Sequence, residues 1–212
     1  MNSCSRYSRL SIALQNYLLG ARYYTALRAY DYAKRVHTGT RKDGITPEFQ
    51  HQIEIALFIT TLRDVQDEEG CIVAALFHDI LEDYPNIAPE DIRKISGEEI
   101  TQSVIQLSKT IHSNITYDVS LEYFNRIGED ERASIVKGCD RIHNLRTMVD
   151  VFTLTKQEAY VNETSTYFLP MLKTAAGMFP VQHLAYMNIR TMLKTQMELI
   201  QATIIAGNIC QN

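Results

Sequence analysis

The chain has 212 residues, 45% of them hydrophobic and 22% charged, with a formal charge of −4. That length and apolar content can bury one substantial core, so a single domain over residues 1–212 is expected, and the acidic balance excludes the basic field that drives nonspecific nucleic-acid binding. Four cysteines, Cys4, Cys71, Cys139 and Cys210, form no C-x-x-C pair, which argues against a zinc knuckle or disulfide framework and fits reduced thiols in the cytoplasm.

The first apolar run, "SIALQNYLLGA", is too short and too polar to span a bilayer, with Gln15 and Asn16 interrupting it, and reads as an amphipathic helix. No membrane association is expected. Downstream, apolar residues recur mostly at helical spacing and alternating patterns are hard to find, so the chain is all-α. Seven to ten helices are expected, at roughly 10–32, 48–62, 68–82, 89–94, 97–109, 117–127, 129–151, 156–176 and 181–206. The polar connector "TGTRKDGITP" (38–47) brings Arg41, Lys42 and Asp43 together. Taken by itself it reads first as a solvated turn, although loops carry binding groups more often than helices do.

The helix over 68–82 is apolar almost all round from Cys71 to Phe77 and then runs into charge. Val73, Leu76, Phe77, Ile80 and Leu81 fall on one side, His78, Asp79, Glu82 and Asp83 on the other. His78 and Asp79 offer an imidazole and a carboxylate to one divalent cation, and Glu82 and Asp83 stand a turn further on, able to handle protons. A His-Asp pair alone is weak evidence. A second helix strengthens it: in "SIVKGCDRIHNLRTMVDVF" the buried side is Ile135, Ile142, Leu145 and Val149, while Asp140, Asn144 and Thr147 line the other, with Lys137 near them.

Other candidates read more simply. His37 caps a helix C-terminus. His112, His143 and His183 are structural or surface groups, His143 pointing away from the Asp140 face on a helical wheel. Cys71 and Cys139 are small buried hydrophobes, and Met187, Met192 and Met197 form a packing stripe on the last helix.

Five segments in order, "RKDGITPEFQH" (41–51), "ALFHDILED" (75–83), "SKT" (108–110), "KGCDRIHNLRT" (137–147) and "ETSTYFLP" (163–170), resemble the HD-domain metal phosphohydrolases. Within them the match is to the RelA/SpoT-type hydrolase domain and the small alarmone hydrolases, over roughly residues 27–200. The resemblance implies a single helical HD-type domain in which His51, His78, Asp79 and Asp140 hold one metal, usually Mn²⁺. It implies that Glu82 and Asp83 position and activate the attacking water, that Arg41 and Lys42 pack on the base and steady the phosphates, and that Asn144, Thr147 and Tyr167 contact the nucleotide. Glu48 stands where an aromatic commonly follows the proline, and the 41–47 loop has its own length, which leaves guanine against adenine open.

The expected activity is metal-dependent hydrolysis of the 3′-pyrophosphate of (p)ppGpp or (p)ppApp by a stand-alone cytoplasmic hydrolase, acting as an antitoxin where it is paired with a toxic alarmone synthetase. Two alternatives stay open: a phosphohydrolase for another nucleotide such as NADPH, and an antitoxin that acts by protein contact. Oligomeric state is not legible.

Overall fold

The computed structural model describes residues 3–109, 119–149 and 151–209. Twelve α-helices occur among them: α1 (Ser3–Ala21), α2 (Tyr24–Val36), α3 (Phe49–Ile59), α4 (Glu68–Phe77), α5 (Ile80–Asp83), α6 (Pro89–Ser96), α7 (Glu98–Leu107), α8 (Val119–Gly128), α9 (Glu131–Thr147), α10 (Leu154–Glu163), α11 (Leu169–Met178) and α12 (His183–Ile209). Among the described residues no strand forms, and an isolated antiparallel bridge joins Thr40 to Pro47. The all-α expectation holds. Among the described residues no helix is long and apolar enough to cross a membrane. Thr110, His112 and Cys210, and the start of the helix expected from 117, lie outside the described residues.

Helix α4 is the axis of the core. Every residue from Gly70 to Phe77 is buried, and the helix packs against α2, α3, α7 and α9 at once. An apolar run without a polar face can lie only where neighbours cover all its sides, and each large side chain there adds roughly 1.5–3 kcal/mol of burial. Asp67 caps its start by accepting from the Gly70 amide at 2.9 Å, and the same carboxylate pairs with Arg132 on α9. Asp130 caps α9 through the amides of Arg132 and Ala133. Further along α9, a Cβ on Gly138 would stand 2.7 Å from Ile189 Cγ2, so a glycine lets α12 approach close to the site.

Several boundaries differ from the expected ones for identifiable reasons. The expected helix 10–32 is two helices, because Arg22 takes a left-handed conformation (φ 61°) and turns the chain back on itself. The expected helix 68–82 breaks after Phe77: Asp79 has φ −101° and ψ −4°, and the chain resumes as the short α5. Helix α9 ends at Thr147, which leaves Val149, expected on the buried side, 40% exposed. The expected helix 156–176 runs from Leu154 to Met178 but takes a π-helical turn at Thr164–Phe168, just ahead of Pro170, where an amide is missing. In α12, Met197 is buried and Met192 packs on the core, but Met187 is 52% exposed, so the methionine stripe is incomplete.

Candidate metal centre and the cavity beside it

The break between α4 and α5 places His78 and Asp79 at a junction rather than on a helix face. From there they meet His51, which α3 delivers, and one donor atom from each of these three lies within 4.8 Å of the others. His78 Nε2 stands 2.8 Å from Asp79 Oδ2, and His51 Nε2 stands 4.0 Å from the same oxygen. Asp140 arrives from α9 with Oδ1 3.2 Å from His51 Nε2 and 3.8 Å from His78 Nε2. Two imidazoles and two carboxylates thus converge from α3, α9 and the α4–α5 junction.

The donors fit a divalent first-row cation. His78 gives Nδ1 to the Ala75 carbonyl at 2.8 Å, which leaves Nε2 as the inward-facing nitrogen. That Nε2 is buried with no hydrogen-bond partner, since Asp79, although close, is not aligned to accept from it. An unpaired buried nitrogen facing carboxylates is an unfavourable arrangement that a bound cation satisfies. Without a cation, a proton on His78 takes up the positive charge that the same carboxylates call for. Burial works against a charged His78, yet Asp79 and Asp140 outweigh it and raise the ring to about 9. Burial pushes His51 down to about 3. Asp79 is drawn to about 2 because His78 overcomes the burial penalty, and Asp140 is held well below the carboxylate range by His51 and by Lys137, whose ammonium lies 3.7 Å away.

Behind His51 stands a residue that the helical wheel misplaced. His143 does not point away: it is buried, and its Nδ1 lies 2.9 Å from His51 Nδ1. Its Nε2 reaches Glu54 Oε2 at 3.2 Å, and burial lowers its pKa, which favours the neutral ring. The wheel failed because it compared His143 with Asp140 alone, whereas α3 crosses α9 on that side. The recurrence of His51 and Glu54 about one turn apart was the available signal.

A cavity of about 1040 Å³ opens beside the centre. Arg41, Lys42, Glu48, His51, Asp79, Glu82, Asp83, Asp140, Asn144 and Thr147 all reach its wall. The 38–47 connector is an ordered loop: Arg41 N donates to Thr46 O, Gly44 at φ +70° makes the turn, and Asp43 accepts from the amides of Ile45 and Thr46. Arg41 Nη2 donates to Asn144 Oδ1 at 3.3 Å, and Asn144 Nδ2 donates to Asp140 Oδ1 at 2.7 Å, so the loop is tied to the Asp140 carboxylate through one amide. Lys42 Nζ lies 5.0 Å from the centre of the Phe152 ring. The Thr147 hydroxyl turns back to the His143 carbonyl. Tyr167 is not on this wall: its ring stacks on Phe124, and Tyr160 lines the cavity instead.

Glu82 and Asp83 are held at the cavity edge by different means. Glu82 accepts from the Lys109 amide. Burial raises the pKa of Asp83, and Asp79, Glu48 and Glu82 add to the effect. Glu48, at the position where the resemblance leads one to expect an aromatic, accepts from the Tyr84 hydroxyl at 2.8 Å and faces His37 Nδ1 at 3.3 Å, linking the start of α3 to the residue after Asp83. His37 stands at the C-cap position of α2 with its backbone amide donating to Ala33 O, but its side chain does not cap the helix: it turns to Glu48 and is buried against Phe49 and Tyr84. Cys71 and Cys139 are buried thiols, and His183 is exposed.

The family model for the HD domain matches residues 29–179. A probable guanosine-3′,5′-bis(diphosphate) 3′-pyrophosphohydrolase from Synechocystis sp. is 33% identical over 151 residues, which cover 68% of this chain and 19% of that protein. A GTP pyrophosphokinase rsh from Brucella melitensis is 30% identical over 150 residues, again 68% and 19%. The chain thus spans about a fifth of the length of these curated relatives. Among solved structures, a metazoan orthologue of SpoT described as hydrolysing ppGpp superimposes with a TM-score of 0.60 at 22% identity, covering 78% of this chain and 93% of that one, a likeness of fold.

Proposed function

The chain belongs to the HD-domain family, and on that premise we propose that it hydrolyses the 3′-pyrophosphate of an alarmone nucleotide, (p)ppGpp or (p)ppApp, with Mn²⁺ held by His51, His78, Asp79 and Asp140. The observation that carries this reading is the convergence of His51, His78 and Asp79 donor atoms within 4.8 Å at the edge of a cavity large enough for a nucleotide. The relatives named for 3′-pyrophosphohydrolase and ppGpp hydrolysis supply the substrate class.

When bound, the cation lowers the pKa of water and takes up charge that develops on phosphorus-bound oxygen. The chain's own residues do the rest. Glu82 and Asp83 orient the attacking water and accept its proton, and the burial and neighbouring carboxylates that raise the pKa of Asp83 favour its taking up that proton. The water oxygen bonds to the phosphorus attached to the ribose 3′-oxygen, the bond from phosphorus to that oxygen breaks, and the 3′-oxygen leaves as a hydroxyl with the returned proton. Pyrophosphate and the 5′-phosphorylated nucleotide are the products. Arg41 and Lys42 grip the base and phosphates from the loop, and Asn144 and Thr147 bound the sugar side. Hydrolysis would let the protein act as an antitoxin to an alarmone synthetase by turnover.

The test is pyrophosphate release by purified protein with Mn²⁺ across (p)ppGpp, (p)ppApp and NADPH. Release from the first two is expected. Phosphate release from NADPH with neither alarmone cleaved would replace this reading with the other-nucleotide one, and inactivity on all three with rescue of synthetase-poisoned cells would favour action by contact.

A further inference from the structure

We propose that His143 and Glu54 are positioning residues for the metal centre, holding His51 in the one tautomer whose Nε2 lone pair faces the cation. The proposal rests on the reading of His51 as a ligand.

The protons can be counted along the chain of contacts. Glu54 is nearly enclosed, its side chain 7% exposed, and it is saturated with donors: Gln50 Nε2 at 2.8 Å and Arg6 at 3.1 Å on Oε1, Arg146 and His143 Nε2 on Oε2. An ionised carboxylate only accepts, so His143 must donate through Nε2. A neutral imidazole carries one N–H, which leaves His143 Nδ1 as an acceptor. The Nδ1 of His51, 2.9 Å away across rings set at 71°, therefore carries the proton of that hydrogen bond. His51 then has none on Nε2. Yet that Nε2 lies 3.2 Å from Asp140 Oδ1 and 4.0 Å from Asp79 Oδ2, two oxygens that also only accept. A lone pair facing two carboxylates is repulsive unless a cation stands among them. Two side chains behind the centre thus select the proton arrangement that turns a bare His51 Nε2 toward the cation, and Glu54 sits on α3 one turn from the ligand it orients.

The experiment titrates metal-free protein with Mn²⁺ alone. His143→Phe removes the acceptor while keeping a ring, and its Mn²⁺ affinity should fall by roughly 10–100-fold. His143→Asn places an amide oxygen near the Nδ1 position and should recover most of that loss. Equal affinity for His143→Phe and wild type overturns the proposal, as does an equal loss in both variants with matched thermal stability, which would mark a packing role only. Should His143→Phe fail to fold, the wild type decides: in long-range ¹H–¹⁵N spectra of the Zn²⁺-loaded protein, His143 must be protonated at Nε2 and bare at Nδ1, and the opposite tautomer overturns the proposal. Wild type that binds no Mn²⁺, or His51→Ala that binds it unchanged, would instead remove the ligand reading itself.

Discussion

The two walls of the cavity are built differently. On one, His51, His78 and Asp140 are buried, and each is braced from behind: His51 by His143, His78 by the Ala75 carbonyl, Asp140 by Asn144 and Lys137. On the other, Lys42 and Asp43 are exposed on a loop, Arg41 is half-buried, and a single 3.3 Å hydrogen bond from Arg41 to Asn144 ties the loop across. Charges gathered in a low-dielectric site need fixed partners, whereas groups that meet a soluble ligand need room to move onto it. The braced wall suits one ion in one geometry, and the looser wall suits a larger ligand.

Substitutions should separate the walls, the braced one giving the larger effects. Asp140→Asn or His78→Ala should abolish turnover and strip bound Mn²⁺, because geometry and charge are lost together; elemental analysis of the purified variants reads this, and unchanged metal content would refute the ligand assignment. Glu82→Gln combined with Asp83→Asn should lower turnover by about 10²-fold or more while metal content stays at the wild-type level, since in the proposed mechanism these groups serve the proton and not the ion. A double variant of normal rate would move the acid–base role elsewhere.

Stability against pH tests the bracing itself. Hydrogen bonds from His143 and Gln50, the charge that His143 takes on in acid and the charge of Arg146 overcome burial and hold Glu54 at about 2, below its ordinary value. A depressed carboxylate contributes stability that is fully present above about pH 4.5 and is lost as pH falls toward 2, on the order of 3 kcal/mol across that window. Glu54→Gln should therefore flatten the acid limb of the metal-free protein's stability between those values, measured by urea unfolding; parallel limbs would mean that Glu54 is no hub.

Effects on the looser wall should be smaller. Arg41→Ala should raise KM by an amount equivalent to about 1–3 kcal/mol, with kcat and metal content little changed, and wild-type kinetics would return the loop to the status of a solvated turn. Tyr167→Phe should change neither constant by more than about twofold, because a stacked ring on Phe124 keeps its packing without the hydroxyl. A large rise in KM would mean that Tyr167 swings to the nucleotide on binding.

The amino-acid sequence alone determined that the chain is helical, because period-3.6 burial is written locally, and that "CIVAALF" is enclosed on every side, because a run without a polar face has no other place to lie. It also marked the loop and the two charged segments that the cavity brings together. It did not reveal that α4 stops at Phe77, that Arg22 divides the first helices, or that Tyr167 turns to Phe124, since each depends on which neighbour packs there rather than on periodicity. His143 is the clearest instance. Residues 51 and 143 are far apart in the chain, and a helical wheel sees one helix at a time. Only the crossing of α3 and α9 brings their rings to 2.9 Å, because a hydrogen bond between helices is a property of two surfaces in contact, and no single segment of sequence contains it.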